Sequence, residues 1–361
     1  MDLPLNARLY LRPVQFVDTP VGHDDGQIAR LAGGLCWFAA YELIAVEGGK
    51  RILQRTIAVT DLSADERLQA LAARISAPRV PLKLGERVVR LDQPQVMGIL
   101  NVTPDSFSDG GKHVGDPAAA AKAGVDLSVA GAAIVDVGGE STRPGAATVW
   151  EGDEIERTVP VIERLARSGA AVSIDTRKAA VMEAALGAGA HLVNDVSALL
   201  YDERALEVVA KAGCPVVLMH SPDPAKTGHE GGNYGDVLLH VYDWLDRRVD
   251  EVVARGIDRE RVLIDPGIGF GKSLQDNLAL LNGLALFHGI GCGVVLGASR
   301  KRMIGALSNE APAEARLGGS LAVAIKGAEL GAQLIRVHDV FETAQALRIW
   351  RGMRDAALLA R

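Results

Sequence analysis

Short apolar runs alternate with helical stretches along most of the chain, from about residue 96 onward. Eight of these runs have the length of a buried strand and end in polar residues, at 96–101, 133–138, 171–175, 192–195, 215–220, 262–265, 293–299 and 334–338. Continuous apolar strands separated by helices predict a parallel sheet that is covered on both faces. Eight such units match a (β/α)8 TIM barrel, which typically has ~250 residues.

Start and stop signals for helices lie between these strands. Asp116, followed by a proline, predicts a capped helix start. Asp202 is predicted to cap a helix over 203–212 that ends before Gly213. A periodic stretch over 236–255, followed by a glycine, predicts a further helix.

An open, doubly wound sheet is the alternative architecture for alternating strands and helices. Such a sheet gathers its ligand groups near one switch point. In a barrel, by contrast, the ends of all strands converge on one face. The barrel is preferred because polar residues end nearly every predicted strand.

The first 90 residues show a different pattern. The elements predicted there are two strands and a helix, at 8–17, 52–59 and 65–75. We therefore expect a small α+β extension over 1–90 and a barrel catalytic domain over 91–361, joined by a segment rich in proline and glycine at 77–95. No catalytic constellation is visible in the extension, whose role is open between a packed appendage and an oligomerisation element.

Composition excludes several classes of protein. The chain has 361 residues, 48% of them hydrophobic, and a net charge of −6, which argues against nucleic acid as the main partner. Its longest apolar stretch, at 31–41, is too short to span a bilayer, so we expect no membrane segment. The three cysteines Cys36, Cys214 and Cys292 are widely spaced and have neither metal nor disulfide spacing, which favours a reducing cytoplasm.

Polar and charged side chains collect at the strand ends. They are Asn101, Asp136, Asp175, Asn194, Asp195, His220, Asp265, Ser299, Arg300, Lys301, Arg336, His338 and Asp339. Acids and amides come from the third, fourth and sixth strands, and cations come from the last two strands and from the loop that holds Arg143. A site with both halves suits a ligand that has a donor-rich ring and an anionic tail.

Three of these residues could bind the ring. The carboxylates of Asp175 and Asp265 accept two parallel N–H bonds each, and the amide of Asn194 offers one donor and one acceptor. A 2-amino-4-oxo pyrimidine presents the matching edge. The alternative is that Asp175 caps a helix and Asn194 bonds to loop backbone.

Arg143, Arg336 and His338 could bind the anionic tail. Arginine binds phosphate through two parallel bonds and stays charged. The loops that follow the seventh and eighth strands of such barrels often form phosphate sites. The alternative for Arg336 is an ion pair with a neighbouring acid such as Asp339.

Loops at 101–111 and 138–145 are rich in glycine, proline and small polar residues, which is typical of loops that close over a substrate. The segment 267–272 resembles a nucleotide-binding loop but lacks the required spacing, and we interpret it as backbone that approaches a flat ring. The sequence contains neither a G-x-S-x-G nor an H-E-x-x-H motif.

These segments resemble the motifs of dihydropteroate synthases. The first signature of that family is similar to 97–111 and the second to 136–145, and the resemblance continues in the family's order through 173–176, 194–195, 218–220, 265–267, 299–301 and 336–339. It covers roughly 96–350. It implies condensation of a dihydropterin diphosphate with 4-aminobenzoate, Mg²⁺ as cofactor, and a homodimer.

The resemblance also implies roles for individual residues. Catalytic roles fall to Arg143, Lys301, Arg336, Asp105 and Asp109. The pterin would be held by Asp175, Asn194, Met219, Asp265, Phe270, Lys301 and Arg336. The diphosphate would be held by Thr142, Arg143, Arg336 and His338, and Mg²⁺ by Asn101. The 4-aminobenzoate pocket would be formed by Phe107, Pro144, Phe270 and the stem of Lys301.

This chain departs from the family pattern at two places. Ser221, Pro222 and Asp223 follow His220, and Arg302 follows Lys301 where many relatives have a serine. The implied reaction is an SN1-like substitution without a covalent enzyme intermediate. A pterin-binding corrinoid methyltransferase and a non-catalytic pterin-binding barrel are the alternatives, and neither needs a diphosphate site.

Overall fold

The structure is a computed structural model that describes residues 3–62, 65–103, 116–141, 148–224 and 231–359. Its strands in chain order are β1 (Arg8–Val17), β2 (Ala29–Arg30), β3 (Trp37–Glu47), β4 (Lys50–Ala58), β5 (Leu82–Leu84), β6 (Arg87–Val89), β7 (Gln95–Asn101), β8 (Ala132–Gly138), β9 (Val172–Asp175), β10 (Leu192–Asp195), β11 (Val216–Met219), β12 (Val262–Asp265), β13 (Gly293–Leu296) and β14 (Leu334–Val337). Its α-helices are α1 (Glu66–Ser76), α2 (Pro117–Ala130), α3 (Glu151–Arg167), α4 (Ala179–Gly187), α5 (Ala205–Ala212), α6 (Val237–Ala254), α7 (Leu274–Asn282), α8 (Arg302–Leu307), α9 (Leu317–Glu329) and α10 (Val340–Leu359).

Strands β7 to β14 close into a barrel in the order β10-β11-β12-β13-β14-β7-β8-β9, and every neighbouring pair is parallel. Each barrel strand is followed by at least one helix. The predicted (β/α)8 barrel is confirmed, and the doubly wound sheet is wrong because this sheet has no open edge. The largest difference in the strand predictions is at the seventh strand, which ends at Leu296 and not at residue 299.

Most of the predicted helix boundaries are confirmed. Asp116 caps α2 by accepting hydrogen bonds from the backbone N–H groups of Ala118 and Ala119. The prediction for Asp202 is wrong, since α5 begins three residues later. Its carboxylate instead accepts a bond from the backbone of Ala179, at the start of α4, as well as one from Arg204. Asp202 therefore links two neighbouring helices of the barrel.

A short hairpin closes the N-terminal end of the barrel. It consists of β5 and β6, which pair antiparallel within the segment 77–95 that was expected to be a simple connection. The side chains of Leu82, Leu84 and Val89 are buried in one cluster with barrel residues such as Met97. The hairpin precedes the boundary predicted at residue 90 but packs inside the barrel.

The N-terminal extension packs against one flank of the barrel. Its sheet places β3 between β1 and β4, and the sequence analysis missed β3, the central strand. The Tyr10 ring lies edge-on to Tyr242 of α6, with 5.4 Å between the centroids, and its hydroxyl donates to Asp243. Arg79 donates to the carbonyl oxygens of His288 and Cys292, both at 3.0 Å, near the start of β13. The extension therefore contacts α6, and the segment that follows it contacts the residues before β13.

Within the described parts of the chain, no helix combines the length and the apolar character needed to cross a membrane.

Candidate active site

Four polar side chains from four strand ends meet at the C-terminal face of the barrel. Arg336 on β14 donates to Asp136 on β8 at 2.7 Å and to Asp175 on β9 at 2.5 Å. Asn194 on β10 donates to the same Asp136 oxygen at 3.0 Å. Parallel pairing brings these positions together, because Asn194 is in register with Asp175. The expected convergence of strand-end groups is therefore observed for these four side chains.

Two carboxylates share one guanidinium in this cluster, so negative charge is in excess. Burial raises the pKa of Asp175 to about 7, against the opposing effect of Arg336 and with a further contribution from Asp136. Burial would lower the pKa of Arg336, but the two acids raise it, so the guanidinium stays charged. One oxygen of Asp136 and one of Asp175 are buried without a hydrogen-bond partner among the described residues. Buried acceptors of this kind normally have a partner, and a ligand rich in N–H groups would supply it.

The alternatives for Asp175 and Asn194 are wrong, whereas the ion pair expected as the alternative for Arg336 is observed, with Asp136 and Asp175 as its partners. Asp175 does not cap a helix, since its carboxylate pairs with Arg336. The side-chain nitrogen of Asn194 bonds to Asp136 and not to loop backbone. Asp339 pairs with Arg300 through two hydrogen bonds, so it is not the partner of Arg336.

Asp265 ends β12, and both its carboxylate and the Arg336 side chain lie close to Gly297. One oxygen of Asp265 accepts a bond from the backbone N–H of Gly267 at 2.7 Å. A Cβ added to Gly297 would lie 3.3 Å from the other Asp265 oxygen, so this glycine leaves space beside the carboxylate. Burial raises the pKa of Asp265, and the bond from Gly267 opposes that shift. Met219 is buried and in register with Asp265 on the neighbouring strand.

The glycine-rich loop after β12 approaches Lys301. Gly267, Gly269 and Gly271 all have positive φ, a conformation that L side chains rarely adopt. A Cβ at Gly269 would lie 3.0 Å from the stem of Lys301, and the Lys301 ammonium lies 4.0 Å from the centre of the Phe270 ring. The backbone of this loop was expected to approach a flat ring, and in this structure it approaches the aliphatic part of the Lys301 side chain.

His338 lies beside Ser299. The two side chains are 3.1 Å apart, and the Ser299 oxygen also accepts the backbone N–H of His338 at 3.2 Å. Burial lowers the pKa of His338 to about 3, and the positive charges of Arg336 and Arg300 lower it further. His338 is therefore neutral near pH 7, and it contributes a hydrogen-bonding group and no charge.

Three other strand-end residues have structural roles. Asp195 accepts bonds from Ser197 and Leu199 in its own turn. His220 is buried with its ring 5.0 Å from that of Trp244, and burial lowers its pKa to about 2. Asp339, which pairs with Arg300, is the third. None of the three joins the Arg336 cluster through the contacts described here.

A buried set of charges, which was not predicted from the sequence, involves Glu140 in the second loop and residues after β9. Glu140 accepts a bond from Arg177 at 3.2 Å and from the backbone N–H of Val149 at 2.8 Å. Lys178 lies 3.1 Å from Glu140 and 2.6 Å from Glu154 in the first turn of α3. Glu140 thus joins the two ends of the loop that contains Thr142. The signal in the sequence was two consecutive cations, Arg177 and Lys178, which begin two residues after the strand-end acid Asp175.

Several predicted site residues lie outside the described residues, namely Asp105, Phe107, Asp109, Thr142, Arg143 and Pro144. Asn101 is described and half-buried at the end of β7. A Cβ at Gly138 would lie 3.6 Å from its side-chain oxygen. Across the described ranges, no group of three or more His, Cys, Asp or Glu side chains is placed to hold a metal ion.

Asp136 appeared among the strand-end groups without an assigned role. The structure makes it the acceptor that links Arg336 and Asn194. An acid in the middle of an apolar strand, in the sequence Ile-Val-Asp-Val, was the available signal. Its partner Arg336 lies 200 residues away in the sequence, so no local pattern could identify the pair.

Comparison with known proteins assigns this barrel to a class. Residues 97–338 match the sequence profile of the family described as "Pterin binding enzyme". The matched segment begins after the N-terminal extension and includes all eight barrel strands apart from the first two residues of β7. The fold and the strand-end cluster are therefore those of a pterin-binding barrel enzyme.

The most similar proteins narrow this class. Dihydropteroate synthase of Escherichia coli K12 is 47% identical over 260 residues, which are 72% of this chain and 91% of that protein. A structure of Xanthomonas albilineans dihydropteroate synthase with 4-aminobenzoic acid is similar at 46% identity and a TM-score of 0.71, covering 76% of this chain and 98% of that one. A structure of the same enzyme in complex with 7,8-dihydropteroate has 44% identity and a TM-score of 0.68, with the same coverage. The chain belongs to the dihydropteroate synthase family, and the corrinoid methyltransferase alternative is not supported.

Proposed function

We infer that this chain condenses (7,8-dihydropterin-6-yl)methyl diphosphate with 4-aminobenzoate to give 7,8-dihydropteroate and diphosphate in folate biosynthesis. The observation that carries this inference is the cluster of Asp136, Asp175 and Arg336, with its two buried acceptor oxygens that lack partners among the described residues. Similar enzymes have been solved with 4-aminobenzoic acid and with 7,8-dihydropteroate. Ligands with N–H donors and an anionic group match a site in which one half accepts N–H groups and the other half binds an anion.

The pterin edge is proposed to bind between Asp175, Asn194 and Asp265. The carboxylates would accept hydrogen bonds from ring N–H groups. The side-chain nitrogen of Asn194 is bonded to Asp136, so its side-chain oxygen would be the group that contacts the pterin. Met219, Phe270 and Lys301 would contact the ring. Arg336 pairs with Asp136 and Asp175, so its guanidinium is proposed to lie beside the pterin and not beside the terminal phosphate.

The diphosphate is proposed to bind near His338, together with Thr142 and Arg143 of the second loop. If the Ser299 hydroxyl donates a hydrogen bond to Nδ1 of the neutral His338, Nε2 carries the ring proton and is an N–H donor toward the anion. The 4-aminobenzoate pocket would combine Phe107, Pro144, Phe270 and the Lys301 stem. Asp105 and Asp109 are proposed to act with Arg143, Lys301 and Arg336 in catalysis.

The proposed chemistry is an SN1-like substitution at the pterin methylene. The C–O bond breaks, and its electron pair leaves with diphosphate. The amine nitrogen of 4-aminobenzoate then forms the C–N bond and releases a proton to diphosphate or water. Asp175 and Asp265 would stabilise positive charge on the ring at the cationic stage. A covalent pterin–enzyme adduct trapped in a mass spectrum would contradict this scheme.

Mg²⁺ is the proposed cofactor, with Asn101 as its protein ligand. The described donor set at this position is one neutral amide oxygen, which fits an ion that keeps waters and takes its other ligands from substrate oxygens. When bound, Mg²⁺ would neutralise charge on the leaving diphosphate. We therefore expect weak Mg²⁺ binding by the free protein and tighter binding with diphosphate. Micromolar binding without diphosphate in calorimetry would contradict this expectation.

A homodimer is proposed for the assembled enzyme. Phe341, Ile349 and Met353 are each more than half exposed and lie at helical spacing along α10, so they form an apolar stripe. Such a stripe supports association of two copies of the chain. Light scattering after gel filtration will give twice the chain mass if this proposal is correct.

A cytoplasmic location is proposed from the state of the cysteines. Cys36, Cys214 and Cys292 are all free and buried. Unpaired thiols are typical of a reducing compartment. Fractionation of cells that produce the chain tests this location.

The direct test of the proposed reaction is release of diphosphate. The purified chain should release diphosphate only when Mg²⁺, the dihydropterin diphosphate and 4-aminobenzoate are all present, and 7,8-dihydropteroate should appear in equal amount. Arg336→Met should abolish turnover, because it leaves two buried carboxylates unpaired. Binding of dihydropterin without any diphosphate release would identify the non-catalytic alternative.

A further inference from the structure

The ammonium of Lys272 is inserted between two loops at the catalytic face. It lies 2.9 Å from the carbonyl oxygen of Gly267, 3.1 Å from that of Phe270 and 3.3 Å from that of His220. A lysine ammonium has three N–H donors, so each donor has one backbone acceptor. Two of these carbonyls belong to the glycine-rich loop after β12, and the third belongs to the end of β11.

Other bonds hold the same loop, which comprises residues 266–272. The side chain of Asn277 accepts the backbone N–H of Gly269 at 2.6 Å and donates to the backbone of Lys272 and Ser273. The Gly271 carbonyl accepts bonds from Gly232 and from the Tyr234 hydroxyl. Lys272 is therefore one member of a set of contacts that joins the loops after β11 and β12.

The loop has little room to move toward β11. A Cβ at Gly267 would lie 2.0 Å from the His220 carbonyl oxygen, so the two backbones are in close contact. The Lys272 nitrogen lies within hydrogen-bond distance of carbonyl oxygens on both backbones. Burial lowers the pKa of Lys272 to about 7, while the charge of Asp265 raises it. In its protonated form Lys272 offsets the repulsion between the partial negative charges of these oxygens.

Asp265 and Phe270 lie at the two ends of this short backbone path. The Asp265 carboxylate is fixed by the N–H of Gly267, while the carbonyl of Gly267 is bonded to Lys272. The carbonyl of Phe270 is bonded to the same ammonium. A shift of the loop would therefore move the carboxylate and the aromatic ring relative to each other.

We propose that Lys272 is a positioning residue for pterin binding, acting through Gly267 and Phe270 to fix the distance between the Asp265 carboxylate and the Phe270 ring. This inference rests on the proposed function, in which those two side chains hold the pterin. Lys272 itself makes none of the pterin contacts. Its role is distinct from that of Lys301, whose ammonium lies over the Phe270 ring.

The test compares Lys272→Met, which keeps the stem and removes the charge, with Lys211→Met on the exposed side of α5 as a matched control. Calorimetry with 6-hydroxymethyl-7,8-dihydropterin should show at least a tenfold weaker Kd for Lys272→Met and no change for the control. Inorganic diphosphate should bind within threefold of wild type, because Ser299 and His338 are untouched. Hydrogen exchange at the amides of 269–270 should be faster in the variant.

Unchanged pterin affinity in a folded Lys272→Met protein would overturn the inference, even if its melting temperature falls. A wild-type protein that fails to bind pterin would instead overturn the proposed function. If Lys272→Met does not fold, Lys272→Arg provides the second variant, because arginine keeps the charge but its planar fork cannot point three donors at three converging carbonyls. It should bind pterin more weakly than wild type, and wild-type affinity with unchanged exchange would also refute the role of Lys272.

Discussion

Asp265→Asn is the most direct perturbation of the proposed pterin site. The asparagine oxygen can keep the bond from the Gly267 N–H, which places the amide nitrogen where the second carboxylate oxygen lies. That position faces the space left by Gly297, where the pterin edge is proposed to bind. A donor then replaces an acceptor opposite a ring N–H.

The expected loss follows from two effects. A charge-assisted hydrogen bond is lost, and a donor is left facing another donor in a buried site. Together they should cost roughly 2–4 kcal/mol. This corresponds to about 30- to 1000-fold weaker pterin binding.

Calorimetry with 6-hydroxymethyl-7,8-dihydropterin measures this loss. The titration should be run at pH 8, because burial raises the pKa of Asp265 and the wild-type carboxylate must be ionised. Asp126→Asn, at an exposed position on α2, is the matched control. We also predict ordered binding, in which 4-aminobenzoate binds poorly to the free enzyme and well once diphosphate is bound. In Asp265→Asn, excess diphosphate should therefore still promote 4-aminobenzoate binding without restoring turnover. Equal pterin affinity in the variant and the wild type would refute the role of Asp265, and tight 4-aminobenzoate binding to the empty wild-type enzyme would refute ordered binding.

Three further predictions follow from buried groups outside the pterin contacts. Glu140→Gln should lower the free energy of unfolding, measured in urea, by about 3–5 kcal/mol, because it leaves buried cations without their partner. The control Glu163→Gln, at an exposed position, should change it little. An equal loss of stability in the two variants would contradict the argument. Asp175 has a pKa of about 7 in the folded protein and 3.8 as its ordinary value, so the folded state binds more protons between these limits and loses stability as pH rises through 7. The buried neutral His220, His288 and His338 act in the opposite direction, because the unfolded chain binds protons at these residues below about pH 6.5. The measurement is therefore the difference between two proteins: the melting temperature of the wild type relative to Asp175→Asn should fall from pH 5.5 to 8, and a constant difference would rule out this carboxyl as a source. Deletion of 1–76 should preserve turnover in the soluble fraction. Deletion of 1–90 also removes the buried residues of the β5–β6 hairpin, which should lower the free energy of unfolding by about 5 kcal/mol or more. Similar unfolding curves for the two truncated proteins would show that the hairpin is dispensable.

The sequence predicted the barrel well because each of its strands is buried on both faces and reads as a continuous apolar run. It predicted the extension less well. β3 begins at Trp37, inside the apolar stretch 31–41, which was considered only as a possible membrane span. The Pro- and Gly-rich segment around β5 and β6 was interpreted as a connection. The strands β5 and β6 have only three residues each, too few to carry a recognisable periodicity, whereas β3 has 11 residues and could have been predicted from its apolar run.

The candidate site was also predictable from the sequence only in part. Strand-end residues such as Asp175 and Asp265 were predictable, because parallel strands bring their C-terminal ends to one face. The pairing of Arg336 with Asp136 was not, since only the closed barrel brings residues 200 positions apart into contact. Lys272 was missed for another reason, because its acceptors are backbone carbonyls, which leave no mark on the sequence.

The shared guanidinium of Arg336 restricts how this site can evolve. Asp136 and Asp175 both depend on it, so replacing Arg336 leaves two buried carboxylates without a cation, whereas replacing one acid still leaves the guanidinium paired with the other. A single replacement of Arg336 is therefore penalised even when it would improve discrimination against an inhibitor that imitates the pterin. An inhibitor that depends on contact with this guanidinium is the one that a single substitution cannot easily evade.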